Sequence, residues 1–231
     1  MSDRPPFAFD VERARFNMIE QQIRPWDVLD ETVLALLGEV KREEFVAPTL
    51  RELAFIDREL PLLVDGVDTG ETMLTPKLEA RIVQEILPKP TDTVLEIGAG
   101  SGYMAALLSR RTRHVTSVEV DPRLAALAEA NLRRAGIDNV SVVTGNGAEG
   151  FQLGNRHPDI IVVSGSLPSV PPAILADVAI GGRIFCVTGT GIVMSGQLIT
   201  RTDELGFDRE TLFETWVKPL RDAVRPSKFS F

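Results

Sequence analysis

A glycine-rich loop lies near the middle of the chain, directly after an apolar run. Residues 94–102 read Val-Leu-Glu-Ile-Gly-Ala-Gly-Ser-Gly, which places the acid Glu96 just before a Gly-x-Gly-x-Gly sequence. Glycines allow a tight turn, and the backbone N–H groups exposed at the start of a following helix attract anions. In a dinucleotide-binding sequence the third glycine would stand at position 103, where this chain has Tyr103. The shifted glycine, together with Glu96, favours a ligand with a small carboxylate and an amine over a pyrophosphate.

Two later loops carry groups that suit the rest of a nucleoside ligand. Glu119 ends the next apolar run, at about the 20-residue spacing at which an acid meets ribose hydroxyls. Residues 145–148, Gly-Asn-Gly-Ala, form a third loop that suits adenine. S-adenosylmethionine combines all these groups, so we predict that it binds here and leaves as S-adenosylhomocysteine. The predicted cofactor-binding residues are Glu96, Gly98, Ala99, Gly100, Ser101, Gly102, Tyr103, Glu119, Val120, Asn146, Gly147, Ala148 and Ser164.

The elements that must position these loops follow a regular alternation. From about residue 75 onward, short β-branched runs alternate with helical stretches, which is typical of βαβ units around a parallel sheet. The carboxyl ends of parallel strands meet at one edge, which would bring the three loops together. Two C-terminal strands joined near Gly206 have no long crossover between them, so we expect an antiparallel pair. The predicted strands are 93–97, 115–119, 140–143, 160–163, 183–187, 197–200 and 211–217.

The N-terminal part of the chain shows no strand pattern before residue 75. Asp10 and Asp30 are the predicted N-caps of two helices, and Pro25 is expected to stop the first of them. We therefore predict an α/β protein in which residues 1–74 form an N-terminal helical cap and substrate-side segment. Residues 75–231 form the Rossmann-like domain that binds the cofactor, and the two parts make one compact unit.

The composition restricts the classes of partner. The chain of 231 residues has 33 acidic and 25 basic side chains and a net charge of −8, a poor match to nucleic acid or an anionic membrane. No run reaches the roughly 18 apolar residues of a membrane span, and the N-terminal residues lack the apolar core of a secretory signal. The single cysteine, Cys186, lies in an apolar run typical of a protein core, and the two histidines show no metal-site spacing. We expect a cytoplasmic protein without a metal, a nucleic-acid partner or a membrane partner, and the oligomeric state stays open.

From Arg15 to Leu220 the chain resembles the protein-L-isoaspartate (D-aspartate) O-methyltransferases. The glycine loop alone indicates only a methyltransferase, whereas the sequences around it identify the family. Those sequences are residues 41–46 (Lys-Arg-Glu-Glu-Phe-Val), 54–57, 60–61, 70–76, 168 with 171–172, 181–182, 197–198 and 217–220 (Val-Lys-Pro-Leu).

The resemblance implies a seven-stranded Rossmann-like methyltransferase sheet, mostly parallel with a C-terminal antiparallel pair. It also implies transfer of a methyl group from S-adenosylmethionine to the misplaced carboxylate of isoaspartyl residues in a peptide or protein, the first step in repairing aged proteins. The family sequence Gly-Gln-Thr-Ile-Ser-Gln-Pro is altered here, with Leu74 at the position of the reaction-centre serine and Glu71 in place of the glutamine. Both changes argue for weak isoaspartate activity, because Leu74 has no hydroxyl and Glu71 adds a negative charge. Asn146 replaces an acid common in the adenine loop, and its side-chain oxygen can still accept a hydrogen bond from an amine.

Methyl transfer to a carboxylate requires that the acceptor be positioned, and it does not require a general base. An ionised carboxylate is already the nucleophile, and two opposite charges disappear as the methyl group moves. A water-excluded site that aligns the reacting atoms therefore accelerates the step through orientation and desolvation. Thr72, Thr75 and Ser164 are candidates for holding the acceptor, with Leu74 in place of a positioning donor. Thr75 equally suits the N-cap of the helix that begins at Pro76.

Three alternatives to isoaspartate repair stay open on the sequence. The first keeps the fold and the cofactor and changes the acceptor. The second is a cofactor-binding homologue without transfer activity that acts through interaction. The third, a nicotinamide-dependent dehydrogenase, is disfavoured by the glycine spacing.

Overall fold

The computed structural model describes residues 9–154 and 156–223. Within these ranges the strands are β1 (Leu60–Val64), β2 (Val67–Met73), β3 (Thr93–Ile97), β4 (His114–Glu119), β5 (Val140–Thr144), β6 (Ile160–Leu167), β7 (Arg183–Thr188), β8 (Met194–Arg201) and β9 (Phe207–Thr215). The α-helices are α1 (Val11–Met18), α2 (Glu31–Glu39), α3 (Pro76–Ile86), α4 (Tyr103–Ser109), α5 (Pro122–Arg134) and α6 (Pro172–Asp177). Residues Ile19–Ile23 form a π-helical turn, and Arg24–Trp26, Arg42–Glu44 and Pro48–Phe55 are 3₁₀ helices.

In the described part of the chain, seven strands form one sheet in the order β5-β4-β3-β6-β7-β8-β9. Strands β3 to β7 are parallel, and β8 and β9 run antiparallel to their neighbours. This confirms the predicted α/β fold with its C-terminal antiparallel pair. The chain leaves β3 through β4 and β5 and then returns to β6 on the other side of β3. Such a reversal opens a crevice at the carboxyl ends of β3 and β6, where ligands bind in folds of this kind.

The two N-terminal helices begin where the sequence predicts them. Asp10 and Asp30 are N-caps whose side chains accept hydrogen bonds from the backbone N–H groups of Arg13 (3.1 Å) and Thr32 (2.7 Å). The expectation that Pro25 stops the first helix needs correction, because the chain continues after α1 as a π-helical turn and then as a 3₁₀ turn that includes Pro25. Proline has no N–H to donate, and the 3₁₀ turn accommodates it near its start.

A β-hairpin formed by β1 and β2 precedes α3, so the expectation of no strand before residue 75 was wrong. The two strands are antiparallel, and the connecting residues Asp65 and Gly66 both have positive φ values, 51° and 78°. Asp-Gly is a preferred pair for such a two-residue hairpin turn. Met73 is the one fully buried residue of β2, which explains why the strand shows no regular apolar alternation.

The N-terminal helices and the sheet share one hydrophobic core. Side chains from both parts, among them Met18, Leu36, Leu78 and Phe185, belong to a single buried cluster. A second cluster fills the opposite face of the sheet and contains the free thiol of Cys186 on β7, which is 0% exposed. The division at residue 74/75 stays a prediction. Among the described residues, no helix is both long and apolar enough to cross a bilayer.

Candidate active site

The glycine loop between β3 and α4 has a backbone that only glycine adopts readily. Gly98, Gly100 and Gly102 have φ values of 97°, 52° and 84°. A Cβ atom at Gly98 would lie 3.2 Å from Leu220, and one at Gly100 would lie 3.2 Å from Leu62. The loop is therefore covered from two sides, by β1 and by the segment that follows β9.

Glu119 at the end of β4 connects the glycine loop to the turn before α5 through hydrogen bonds. Its carboxylate accepts hydrogen bonds from the backbone N–H of Gly100 (2.9 Å) and of Asp121 (3.1 Å), and the residue is 6% exposed. An ionised carboxylate offers about four acceptor positions. Two of these remain for hydroxyl groups of a ligand.

The third loop, residues 145–148, lies against the end of β3. A Cβ atom at Gly147 would lie 2.8 Å from Ile97, so only glycine fits at this point. The Asn146 side-chain oxygen accepts a hydrogen bond from the backbone N–H of Ala148 (2.9 Å). This bond holds the loop in shape and leaves the amide group of the exposed Asn146 at the cleft.

Glu96 is fully buried beneath the glycine loop. The hydroxyls of Ser117 (2.5 Å) and Ser164 (3.0 Å) donate to its carboxyl group. Burial raises the pKa of Glu96 to about 8, against the opposing effect of these two hydrogen bonds. At neutral pH the group is therefore mostly protonated, and it fixes the orientation of Ser164.

These loops open into one cleft of about 700 Å³, including the space at its mouth. A smaller cavity of about 280 Å³ adjoins it and shares several of its walls. Of the residues predicted from the sequence, Gly98, Gly100, Glu119, Val120, Asn146, Gly147, Ala148, Ser164, Thr72 and Leu74 line the cleft, and Glu96, Ala99 and Ser101 line the smaller cavity.

Three predicted site residues, Gly102, Tyr103 and Thr75, line neither space. Tyr103 begins α4, and its ring lies 5.4 Å from that of Phe45, in the core shared with the N-terminal helices. The direction of the first helical turn, rather than the position of the loop, decides where this ring goes. Thr75 occupies the N-cap position of α3 without a side-chain capping hydrogen bond.

The end of β2 and Leu74, which follows it, form a further wall of the cleft. The Thr72 hydroxyl donates to Glu59 (2.9 Å), and both residues line the cleft. The carbonyl of Leu74 accepts a hydrogen bond from the buried guanidinium of Arg42 (2.5 Å). Arg42 also pairs with Glu79 at 3.1 Å, so the wall is fixed to the N-terminal part of the core.

The cleft also contains residues that the sequence reasoning did not assign to the site. Leu62 and Glu59 come from the hairpin region, and Lys218, Leu220 and Arg221 come from the C-terminal segment, defined here as residues 216–223. The resemblance had singled out residues 60–61 and 217–220 without giving them a role in the site, and those sequences were the available indication.

The negative charge of Glu71 does not stand alone in the cleft. Its carboxylate forms ion pairs with Lys218 (2.9 Å) and Arg221 (2.8 Å). The sequence-based argument that Glu71 repels a carboxylate acceptor therefore loses its force.

The chain matches the family described as protein-L-isoaspartate (D-aspartate) O-methyltransferase over residues 13–217. A protein-L-isoaspartate O-methyltransferase from Protochlamydia amoebophila is 39% identical over 205 residues, which cover 88% of this chain and 94% of the relative. One from Rhodopseudomonas palustris is 37% identical, over 89% of this chain and 92% of the relative.

Solved structures agree with the sequence relatives. A protein-L-isoaspartate O-methyltransferase structure is 25% identical with a TM-score of 0.75, over 92% of this chain and 66% of that longer one. A β-aspartate methyltransferase from Plasmodium falciparum was solved in complex with S-adenosyl-L-homocysteine and matches this chain with a TM-score of 0.73. The match covers 93% of this chain and 99% of that one, and at 17% sequence identity it shows a similarity of fold alone. By the family match over most of its length and by these relatives, the chain belongs to the protein-L-isoaspartate (D-aspartate) O-methyltransferase family.

Proposed function

We propose that the protein transfers a methyl group from S-adenosylmethionine to the carboxylate of isoaspartyl residues in peptides or proteins. The observation that carries this proposal is the cleft itself, in a chain of this family. Three strand-end loops that suit the cofactor face a wall of acceptor-positioning candidates, Thr72 and Leu74, across one space. Membership of a family of methyltransferases favours an enzyme over a binding homologue without transfer activity.

The groups around the cleft fit the cofactor. Glu119 has two acceptor positions left for the ribose hydroxyls. The close packing of Gly147 on Ile97 fixes the loop of residues 145–148, which lines the same cleft and suits the adenine. The smaller cavity beside Ala99 and Ser101 suits the amino acid part. When bound, S-adenosylmethionine supplies an electrophilic methyl group on a positively charged sulfur.

The chain's own residues contribute orientation and exclusion of water. Leu74 and Ile97 are buried at the cleft, and Leu220 covers the glycine loop. Low local polarity favours a reaction in which opposite charges meet and cancel. Thr72, on β2, carries a hydroxyl at the cleft, so it takes the positioning role that Leu74 lacks. In the free protein this hydroxyl donates to Glu59, and it turns to donate to the acceptor carboxylate when the peptide binds.

Methyl transfer to a synthetic isoaspartyl peptide tests the proposal. Labelled S-adenosylmethionine is incubated with the protein and either an isoaspartyl peptide or the same sequence with ordinary aspartate. Methyl ester on the isoaspartyl peptide alone supports the proposal. Cofactor binding without transfer to either peptide would point to a different acceptor, the alternative that Leu74 favours.

We also infer a cytoplasmic location without a nucleic-acid partner. The unpaired thiol of Cys186 suits a reducing compartment. Three acids, Glu59, Glu71 and Glu119, line the cleft together with Lys218 and Arg221, an arrangement that does not attract a polyanion.

A further inference from the structure

Two cations stand at the mouth of the cleft. Lys218 and Arg221 are the basic side chains among the described residues that line it, and both belong to the C-terminal segment. The Glu71 carboxylate lies between them. One oxygen is 2.9 Å from Lys218 Nζ, and the other accepts from Arg221 Nη2 (2.8 Å) and Nε (3.1 Å). An internal carboxylate thus occupies a site built from two positive charges.

Each of the two cations has a second partner besides Glu71. Lys218 Nζ also donates to the backbone carbonyl of Gly70, and Arg221 Nη1 also donates to the Asp121 carboxylate at 3.1 Å. Main-chain hydrogen bonds between Ser166 and the C-terminal segment hold the backbone that carries them, at 2.9 and 3.0 Å. The anion site is therefore organised before a ligand arrives.

Exchange of one carboxylate for another at this site costs little. The side chains of Glu71, Lys218 and Arg221 are 24%, 36% and 37% exposed, so water and ligands can reach the ion pairs. Partly exposed ion pairs contribute little net stability. An incoming carboxylate also restores the charge balance that the departure of Glu71 would disturb.

The chemistry of methyl transfer decides which carboxylate suits the site. The reacting carboxylate must present a lone pair to the methyl group. A carboxylate that forms ion pairs with an arginine and a lysine is a weaker nucleophile, because its negative charge is already stabilised. The cation pair therefore suits an anionic group of the acceptor that is not itself methylated.

We propose that Lys218 and Arg221 bind a second carboxylate of the acceptor peptide, and that Glu71 fills this site until the peptide displaces it. The second carboxylate is an acidic side chain beside the methylated residue or the C-terminal carboxylate of the peptide. This inference rests on the proposed function, because it takes the acceptor to be a peptide.

Peptide binding to the protein loaded with S-adenosylhomocysteine tests the inference without requiring turnover. Three isoaspartyl peptides are titrated calorimetrically: one with a glutamate next to the isoaspartyl residue, one with glutamine there, and one with glutamine and a free C-terminal carboxylate. The first two have blocked termini. In the wild type, where the second carboxylate must displace Glu71, we expect at least one peptide that carries it to bind about threefold more tightly than the glutamine peptide with blocked termini. In Glu71→Gln the same preference should rise to about tenfold, as for a partly exposed charge-assisted contact without an internal competitor.

Substitutions of opposite expected effect identify the site. The double variant Lys218→Met with Arg221→Met loses the preference for the second carboxylate, and Glu71→Gln increases affinity for that peptide because its internal competitor is gone. Arg133→Met, which removes a charge from the exposed face of α5, keeps the wild-type preference. Misfolding cannot produce the gain expected for Glu71→Gln.

The outcomes separate this inference from the proposed function. Equal binding of all three peptides by the wild type and by Glu71→Gln overturns the anion site, as does a preference that survives in the double variant. A preference that depends on Lys218 and Arg221, found together with no methyl transfer to any peptide, supports the anion site and refutes the proposed reaction.

Discussion

At the scale of single residues, the polar side chains of the cleft hold one another in place. Glu119 joins the glycine loop to the turn before α5, and Glu96 accepts hydrogen bonds from the hydroxyls of Ser117 and Ser164. Preorganised groups of this kind need not reorient when the ligand binds, which lowers the cost of binding. Each can be tested by an isosteric change that removes one property and keeps the shape.

Replacing Glu119 with glutamine is expected to weaken binding of S-adenosylhomocysteine by about 1.5 to 3 kcal/mol, the usual contribution of hydrogen bonds to a charged group. In the glutamine side chain an NH2 group replaces one of the two carboxylate oxygens. This donor then faces the backbone N–H of Gly100 or of Asp121, which loses its acceptor. Isothermal titration calorimetry measures the effect. Glu129→Gln, a matched change at an exposed position of α5, is the control, and unchanged affinity in Glu119→Gln would remove this residue from the ribose site.

Glu96 makes the stability of the protein depend on pH. Its pKa rises from 4.5 in the unfolded chain to about 8 in the fold, because the group is buried. Between these values the unfolded chain gives up a proton that the folded protein keeps, so this contribution to stability is complete below about pH 4.5 and is lost as the pH rises through about 8.

We expect the wild type to lose stability relative to Glu96→Gln by up to about 1.4 kcal/mol for each pH unit in that window. Urea unfolding at several pH values measures the difference. Burial also raises the pKa of Glu79 to about 7, and this group is present in both proteins. Parallel curves for the two proteins would mean that the hydroxyls of Ser117 and Ser164 keep Glu96 ionised.

Thr72 is expected to position the acceptor, so Thr72→Val should lower kcat about a hundredfold, the typical cost of losing one positioning donor. Steady-state assays with an isoaspartyl peptide measure it. Thr75→Val makes the same change just outside the cleft and should alter kcat little. Leu74→Ser adds a hydroxyl to the same wall of the cleft and should restore part of the rate in the Thr72→Val protein. Equal losses of kcat in Thr72→Val and Thr75→Val would refute the role assigned to Thr72.

At the scale of elements, the sequence predicts best where a strand is buried on both faces. Every residue of β3 from Val94 to Ile97 is at most 2% exposed, and its apolar run is visible in the sequence. The polar β2 gives no such pattern, and Asp65-Gly66 was the one local indication of the hairpin. β9 begins at Phe207, earlier than predicted, because its partly exposed side chains lack regular alternation.

The turn into α4 requires glycine, and a pair of Gly→Ala changes tests this. Gly102 has a φ of 84°, and a Cβ atom there would lie 3.2 Å from the carbonyl oxygen of Ala128. Gly102→Ala should lower the free energy of unfolding by about 1 to 3 kcal/mol. Gly38→Ala, inside α2 with nothing within 4 Å of the added atom, should raise it by about 0.5 to 1 kcal/mol. Thermal unfolding measures both, and a neutral Gly102→Ala would contradict the strain.

At the scale of the whole molecule, the cleft is closed by contacts between distant parts of the chain. Arg221 and Glu71 are 150 positions apart, and Arg42 reaches Glu79 across 37 positions. Periodicity and local spacing relate only residues within one element, so these pairs cannot be predicted from such patterns. The strand-end half of the site was therefore predictable, and the resemblance added Thr72 and Leu74. Glu59, Leu62 and the C-terminal segment needed the fold.

The single thiol allows the local unfolding of β7 to be measured by the rate at which Cys186 is chemically modified. Cys186 is 0% exposed on the interior strand β7, and burial raises its pKa to about 12. The thiolate is the nucleophile that attacks a thiol reagent, so modification should proceed only in molecules that have unfolded this strand. Because a ligand that binds only the folded state lowers the open population by the factor 1 + [L]/Kd, S-adenosylhomocysteine at about 100 times its Kd should slow labelling about a hundredfold. The labelling rate then gives ligand affinity without a chromophore, a substrate or an engineered residue, and a rate unaffected by the ligand would show that β7 opens independently of the cleft.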